Sequence, residues 1–206
     1  MAKLDAPLFS FRARGKIANA LVYFSWKGLN VVRSYVVPTN PDTGLQQTQR
    51  GYMTAAVAAI HAAQALAANA LDEVDQVAYA LLGSLQKTPR TWFNTVVKEW
   101  IDQYVAILHG VIFHDGTLTL QDTQISLQVW LTDEGANAVT ELDVHYGISP
   151  TNLVNSSHMV DQGGGRHTDV ITGLINGTKY YFQFRPVAHV DYLGANSGIY
   201  HGTPAA

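Results

Sequence analysis

Eight histidines and a scatter of carboxylates are the residues of this chain whose types could do chemistry. A metal site needs ligands at short helical or turn spacing, as in His-Glu-x-x-His. The nearest approach is His109 and His114 with Asp115, and His109 is also expected in the last turn of a long helix, where a cationic ring suits the dipole. Asp161 with His167 offers a second, loop-borne pair, while His158, His167, His189 and His201 read as exposed alternation positions on strands or edges. Asp72, Glu73 and Asp75 resemble a carboxylate cluster, but at a helix start such residues cap the helix and complement its dipole. No glycine-rich phosphate loop, nucleophile elbow or Cys/His dyad occurs, and the chain has no cysteine for a disulfide or thiolate site. The expectation is a non-enzymatic protein without cofactor or metal.

The elements that must position such residues fall into three parts, expected at 1–43, 44–110 and 113–206. In the first, Ala20 to Trp26 and Leu29 to Val37 are strand-forming runs around a Lys27-Gly28 turn. Apolar residues lie on both parities of each run: Leu21, Tyr23, Val31, Tyr35 and Val37 on one, Val22, Phe24, Trp26, Val32 and Val36 on the other. A lone hairpin is marginal in water, so both faces need cover, from the rest of the chain or from neighbouring copies. Arg33 is the sharpest case, set among Val31, Val32 and Tyr35 and costly to bury unpaired.

Pro38 to Gly44 forms a loop, and Thr43 with Gln46 has the capping-box spacing for a helix starting near Gly44. Its inner face is expected at Met53, Ala56, Val57, Ile60 and Ala63. Asp72 caps a second helix to about Leu85, with Val74, Val77, Ala78, Leu81 and Leu82 inward. Thr88-Pro89 reads as the start of a third, ended by Gly110. Its aromatic stripe, with Trp92, Phe93, Trp100 and Tyr104, is either core or an intersubunit face.

Beyond Val111 the period becomes that of strands, with turn signals at sandwich spacing. The runs are Ile125–Leu131, Glu141–Gly147, Val154–Val160, His167–Thr172, Lys179–Ala188 and Gly198–Gly202, preceded by a strand near Thr117–Leu120. The fold class expected is therefore α+β: an N-terminal hairpin, a three-helix bundle and an all-β sandwich.

Net charge is −3 over 206 residues, but residues 1–50 carry a balance of +5 and the other 156 a balance of −8. A basic N-terminal arm and an acidic body attract each other between copies, or the arm faces nucleic acid; the cations are interleaved with apolar residues and form no dense patch, which disfavours nucleic acid. Asp5 and Pro7 stand where a signal peptide needs its apolar core, and no apolar run approaches the ~20 residues of a membrane span. Neither that route of secretion nor a membrane partner is expected.

Two resemblances sharpen this. Leu174-Ile175-Asn176-Gly177-Thr178-Lys179-Tyr180 is similar to the Leu-x-Pro-Gly-Thr-x-Tyr signature of fibronectin type III domains. That resemblance implies a buried Leu174, a tyrosine corner at Tyr180, and a buried early tryptophan, for which Trp130 is the candidate. Residues 8–108 resemble a family of uncharacterised proteins encoded in tailed-phage genomes, often among structural genes. The pattern is Gly15-Lys16, Lys27-Gly28, Val31-Val32-Arg33, Pro38 to Thr43, Gln46-Gln47, Arg50 and Thr88 to Asn94. It implies a virion component, made in the host cytoplasm, whose partners are copies of itself and other virion proteins. The assembly interface is then expected at Arg12, Arg14, Lys16, Tyr23, Phe24, Trp26, Val31, Val32, Arg33 and Tyr35. A competing reading is a host-surface glycan-binding module, for which Tyr192 in the loop Asp191–Asn196 is the exposed aromatic candidate.

Overall fold

The structure, a computed structural model, describes residues 15–18, 20–27, 29–37, 42–133, 139–187, 191–192 and 194–205. The chain divides into two compact units, Met1–Thr43 and Gly44–Ala206.

The first unit is a three-stranded antiparallel sheet rather than a two-stranded hairpin: β1 (Gly15–Ile17), β2 (Leu21–Trp26) and β3 (Leu29–Ser34), in that order. Trp26 pairs with Leu29 across a two-residue loop, and Lys27 there takes a positive φ of 48°, the backbone that tight hairpin turns demand. Strand β3 stops at Ser34, short of the expected Val37. The register sorts the side chains into faces. Lys16, Val22 and Arg33 form one row across the sheet, with the Phe24–Val31 pair beside it on the same face.

The second unit begins with α1 (Gly44–Gln64), α2 (Glu73–Ser84) and α3 (Trp92–Val105). Ala56, Ile60 and Ala63 of α1 are buried as its periodicity predicts, whereas Met53 is exposed. Helix α2 buries Ala78 and Leu82 as expected, but Asp75 and Tyr79 share that face while Val74 and Val77, expected inward, are exposed. Thr91, not Thr88, caps α3, its hydroxyl accepting the Asn94 N–H. The helix ends five residues before Gly110, and that glycine instead lies against the Trp100 indole, where a Cβ would clash at 2.5 Å. Trp100 is buried and Trp92 partly so, in a core with Ile60, Tyr79, Val96 and Val97. The stripe is core.

That core does not close as a helical bundle. All three helices pack on β4 (Val111–Gln121), a strand much longer than the expected Thr117–Leu120. Its first half is covered on both sides: Ile112 joins the helical core, while Val111 and Phe113 join the sandwich core. A strand buried on both faces reads as an unbroken apolar run, which is why no alternation announces it. The division expected between residues 110 and 113 therefore does not separate compact units.

Six further strands follow: β5 (Gln124–Asp133), β6 (Leu142–Gly147), β7 (Asn155–Asp161), β8 (Arg166–Thr172), β9 (Tyr180–Pro186) and β10 (Tyr200–Gly202). Their order is β10-β9-β6-β7-β8-β5-β4, all antiparallel. Among the described residues the two halves pair where β7 meets β8, at Val160–Thr168 and Asp161–His167, and the sheet folds over into a sandwich close to a barrel. Ile125, Leu127, Val129, Leu131, Leu142, Val144, Phe182 and Phe184 fill it.

Leu174 is buried as expected, and the Tyr180 hydroxyl accepts the Ile175 N–H at 3.2 Å. Asn176, standing where the signature has proline, accepts the Thr123 N–H and donates to Asp122, tying this turn to the β4–β5 turn. Trp130 departs from expectation. It alternates with Val129 and Leu131, so its ring is on the outer face, only half-buried.

Because β4 belongs to both cores, residues 44–206 are expected to melt as one cooperative unit, whereas a 111–206 fragment should aggregate or melt without a sharp transition. Calorimetry on the two fragments distinguishes these outcomes; a sharply melting 111–206 monomer would contradict the shared core.

Candidate functional site

Two places hold side chains in arrangements beyond simple packing: one face of the N-terminal sheet, and a buried carboxylate at the start of α2.

On the sheet, β-branched and aromatic residues suit strands, and the register stacks them. Val22, Phe24, Trp26, Val31 and Arg33 line an open apolar hollow of about 570 Å³. Trp26 is 60% exposed, and Val32 on the opposite face is 50% exposed. The cations sit over rings: Lys16 Nζ is 3.6 Å from the Tyr35 centroid, and Arg33 Cζ is 5.6 Å from that of Phe24. Each such contact contributes roughly 0.5–1 kcal/mol at an exposed site. Arg33 is exposed, and Tyr23 and Tyr35 are half-buried. Of the expected interface residues, Lys16, Phe24, Trp26, Val31, Arg33 and Tyr35 stand on this face, and Tyr23 and Val32 on the other. Arg12 and Arg14 lie outside the described residues.

At α2, Asp72 and Asp75 do form a capping box: Asp72 accepts the Val74 and Asp75 N–H groups, and Asp75 accepts that of Asp72. Asp75 has a second role that the sequence reading missed. Strand β4 shifts register between His114 and Thr117, which takes the Asp115 and Gly116 N–H groups out of the ladder. Asp75 accepts both, at 2.7 and 2.9 Å, and also the Tyr200 hydroxyl at 2.7 Å. Gly116 is required there, since any Cβ would run into the Tyr200 ring. Burial pushes the Asp75 carboxyl above its usual range, and the bonds from Tyr200, Gly116, Asp72 and Asp115 pull it back. With two donors on each oxygen, this carboxylate holds structure together and has no free lone pair aimed at a substrate. One turn further on, the Tyr79 hydroxyl bonds both the N–H and the C=O of Phe113.

The histidines are dispersed. His114 is buried, with Nδ1 donating to the Asn69 carbonyl at 2.6 Å and Nε2 accepting from the Thr132 hydroxyl at 2.9 Å. His109 lies beyond the end of α3, its ring tilted against Tyr192. His158 bonds Asp143, and His201 is exposed. His167 was expected at the surface but is wholly buried, register-paired with Asp161, with the backbone of Gly165 and Thr140 beside its ring. Burial holds both His114 and His167 below the ordinary imidazole range. His189 lies outside the described residues. Among the described residues no three His, Asp or Glu side chains converge on a point where a metal ion could sit. Tyr192, the aromatic expected to be exposed, is wholly buried in the sandwich core.

No family model matches the chain, and no curated protein matches it.

Tyr200→Phe removes one donor from a buried carboxylate and should cost about 1.5–3 kcal/mol, lowering Tm by roughly 3–12 °C. Asp75→Asn sets an amide nitrogen against existing donors and should cost more. Circular-dichroism melts measure both, and wild-type melting in either variant would refute the role given to Asp75.

A pH dependence follows from the histidines. Because the folded-state values of His114 and His167 lie below their ordinary 6.5, the stability they contribute is complete above pH 6.5 and is lost as pH falls through that value towards the folded-state values. Melting temperature should decline from about pH 7.5 to 5, and His114→Gln should flatten the decline. A flat profile in the parent protein would contradict this.

Proposed function

We propose that this protein is a non-enzymatic structural component of a tailed-bacteriophage virion, anchored through its N-terminal sheet while the C-terminal sandwich projects from that anchor. The observation that carries the reading is the sheet itself. A small sheet with apolar residues on both faces, Trp26 largely exposed and cations over its rings, has the composition of a surface that completes itself against a neighbour. The resemblance of residues 8–108 to proteins of tailed-phage genomes gives that neighbour a setting. The sandwich is read as fibronectin type III-like on three grounds: its strand order, the buried Leu174, and the Tyr180 hydroxyl on the Ile175 backbone. Such a domain serves as a spacer or binding module, so it does not itself name a ligand. The glycan reading asked for an exposed aromatic loop, and Tyr192 is instead buried.

Charge reversal of exposed Arg33 to Glu should leave melting close to that of the parent but reduce incorporation into particles. Quantitative mass spectrometry of purified head and tail fractions reads this out. Undiminished incorporation of a stably folded Arg33→Glu protein would remove the anchoring role of this face.

A further inference from the structure

A groove of about 310 Å³ runs along the exposed side of α2 in the second unit, lined by Glu73, Val74, Val77, Leu118, Tyr200 and His201 among others. Val74 and Val77 are 53% and 55% exposed. Two neighbouring valines left in water on a helix whose other face is fully packed amount to an uncovered apolar strip. The rim carries Glu73, and the exposed carboxylate of Asp72 precedes it in the chain. The groove is thus apolar in its floor and acidic at its edge. The N-terminal sheet presents the converse: an apolar hollow of Val22, Phe24, Trp26 and Val31, edged by Arg33 and Lys16. The same opposition holds for the whole chain, +5 in its first 50 residues against −8 in the rest.

We propose that the occupant of the α2 groove is the N-terminal sheet of a second copy of this chain, with Trp26 against Val74 and Val77 and Arg33 directed to Glu73. This rests on the anchoring reading of the sheet and names its partner. An aromatic side chain of this size buries roughly 150–250 Å² and is the kind of anchor that dominates an interface. The opposite charges orient the approach and disfavour sheet-to-sheet or groove-to-groove pairing, where like charges would meet. Sheet and groove are different surfaces, so the contact is head-to-tail. Each copy offers one of each, and repetition closes a ring or extends a filament.

Sedimentation velocity on the full chain, over a concentration series at low and high salt, tests this. The parent should form concentration-dependent multimers that weaken with salt. Arg33→Glu and Glu73→Arg should each weaken association at least about tenfold, and the Arg33→Glu/Glu73→Arg double variant should recover most of it. Val77→Asp should abolish it in a protein that still melts near the parent temperature, since that side chain is exposed. A parent that stays a single copy at every concentration would overturn the proposal. So would multimers indifferent to Glu73→Arg and Val77→Asp. The two readings fail separately: if Arg33→Glu blocks particle incorporation while the parent is monomeric, the anchoring reading stands and the groove proposal falls, whereas undiminished incorporation of Arg33→Glu overturns the anchoring reading whatever the parent's association.

Discussion

The carboxylate of Asp75 joins three pieces of chain that are distant in sequence. Through the Asp72 N–H it closes the first turn of α2; through the Asp115 and Gly116 N–H groups it fills a break in β4; through the Tyr200 hydroxyl it holds the last strand. Each of these groups is expensive to leave unpaired in a dry environment, so the arrangement is costly to satisfy in part and rigid when complete. The neighbouring main-chain bond from the Ile199 N–H to the Ala78 carbonyl, and the paired bonds of Tyr79 to Phe113, repeat the same connection in neutral form. Helix α2 and the sandwich are therefore joined by hydrogen bonds whose geometry fixes their relative position, in addition to apolar contact.

Strand β4 follows from that constraint. A sandwich edge strand ordinarily shows one face to solvent, and an unpaired edge invites association. Here the helices cover the outer face of its first half, with Ile112 and His114 beneath them, and α2 also touches β10 at the other end of the strand order. The helical layer thus protects a sandwich edge as well as having a core of its own. The far side of α2 stays open, with Val74 and Val77 exposed.

How legible this was in the sequence depends on the range of the signal. The helices and most strands follow from local period and turn chemistry, and Leu174 and Tyr180 stand where the Asn-Gly turn puts them. The orientation of α2 was legible only in part, since Ala78 and Leu82 are buried as expected but Val74 and Val77 are not. Val74, Val77 and Leu81 make as good an apolar stripe as Ala78, Tyr79 and Leu82, and the choice between them is made by Asp75 finding two backbone donors forty residues away. The capping box itself hid this, because it already accounted for the carboxylate. His167 misled in the same way: between Arg166 and Thr168 it reads as one more polar strand residue, yet its parity with Ile171 carries it inside. Trp130 is the reverse case. Its alternation with Ile125, Leu127, Val129 and Leu131 does place it on the outer face, and only the fibronectin signature argued otherwise.

The sheet of the first unit obeys a different logic from the rest. In the second unit the largest apolar side chains, from Trp100 to Phe184, are buried, and exposed valines such as Val74, Val77, Val154 and Val170 lie around packed cores. In the first, apolar residues are spread over both faces of three short strands, and none of the sheet side chains whose burial is described is fully buried. Lys16 and Arg33 lie over the Tyr35 and Phe24 rings without being removed from water. A cation over a ring presents charge and apolar surface side by side. The face is thus prepared to meet a surface that is apolar and acidic at once, and that combination of properties distinguishes it from an ordinary exposed patch.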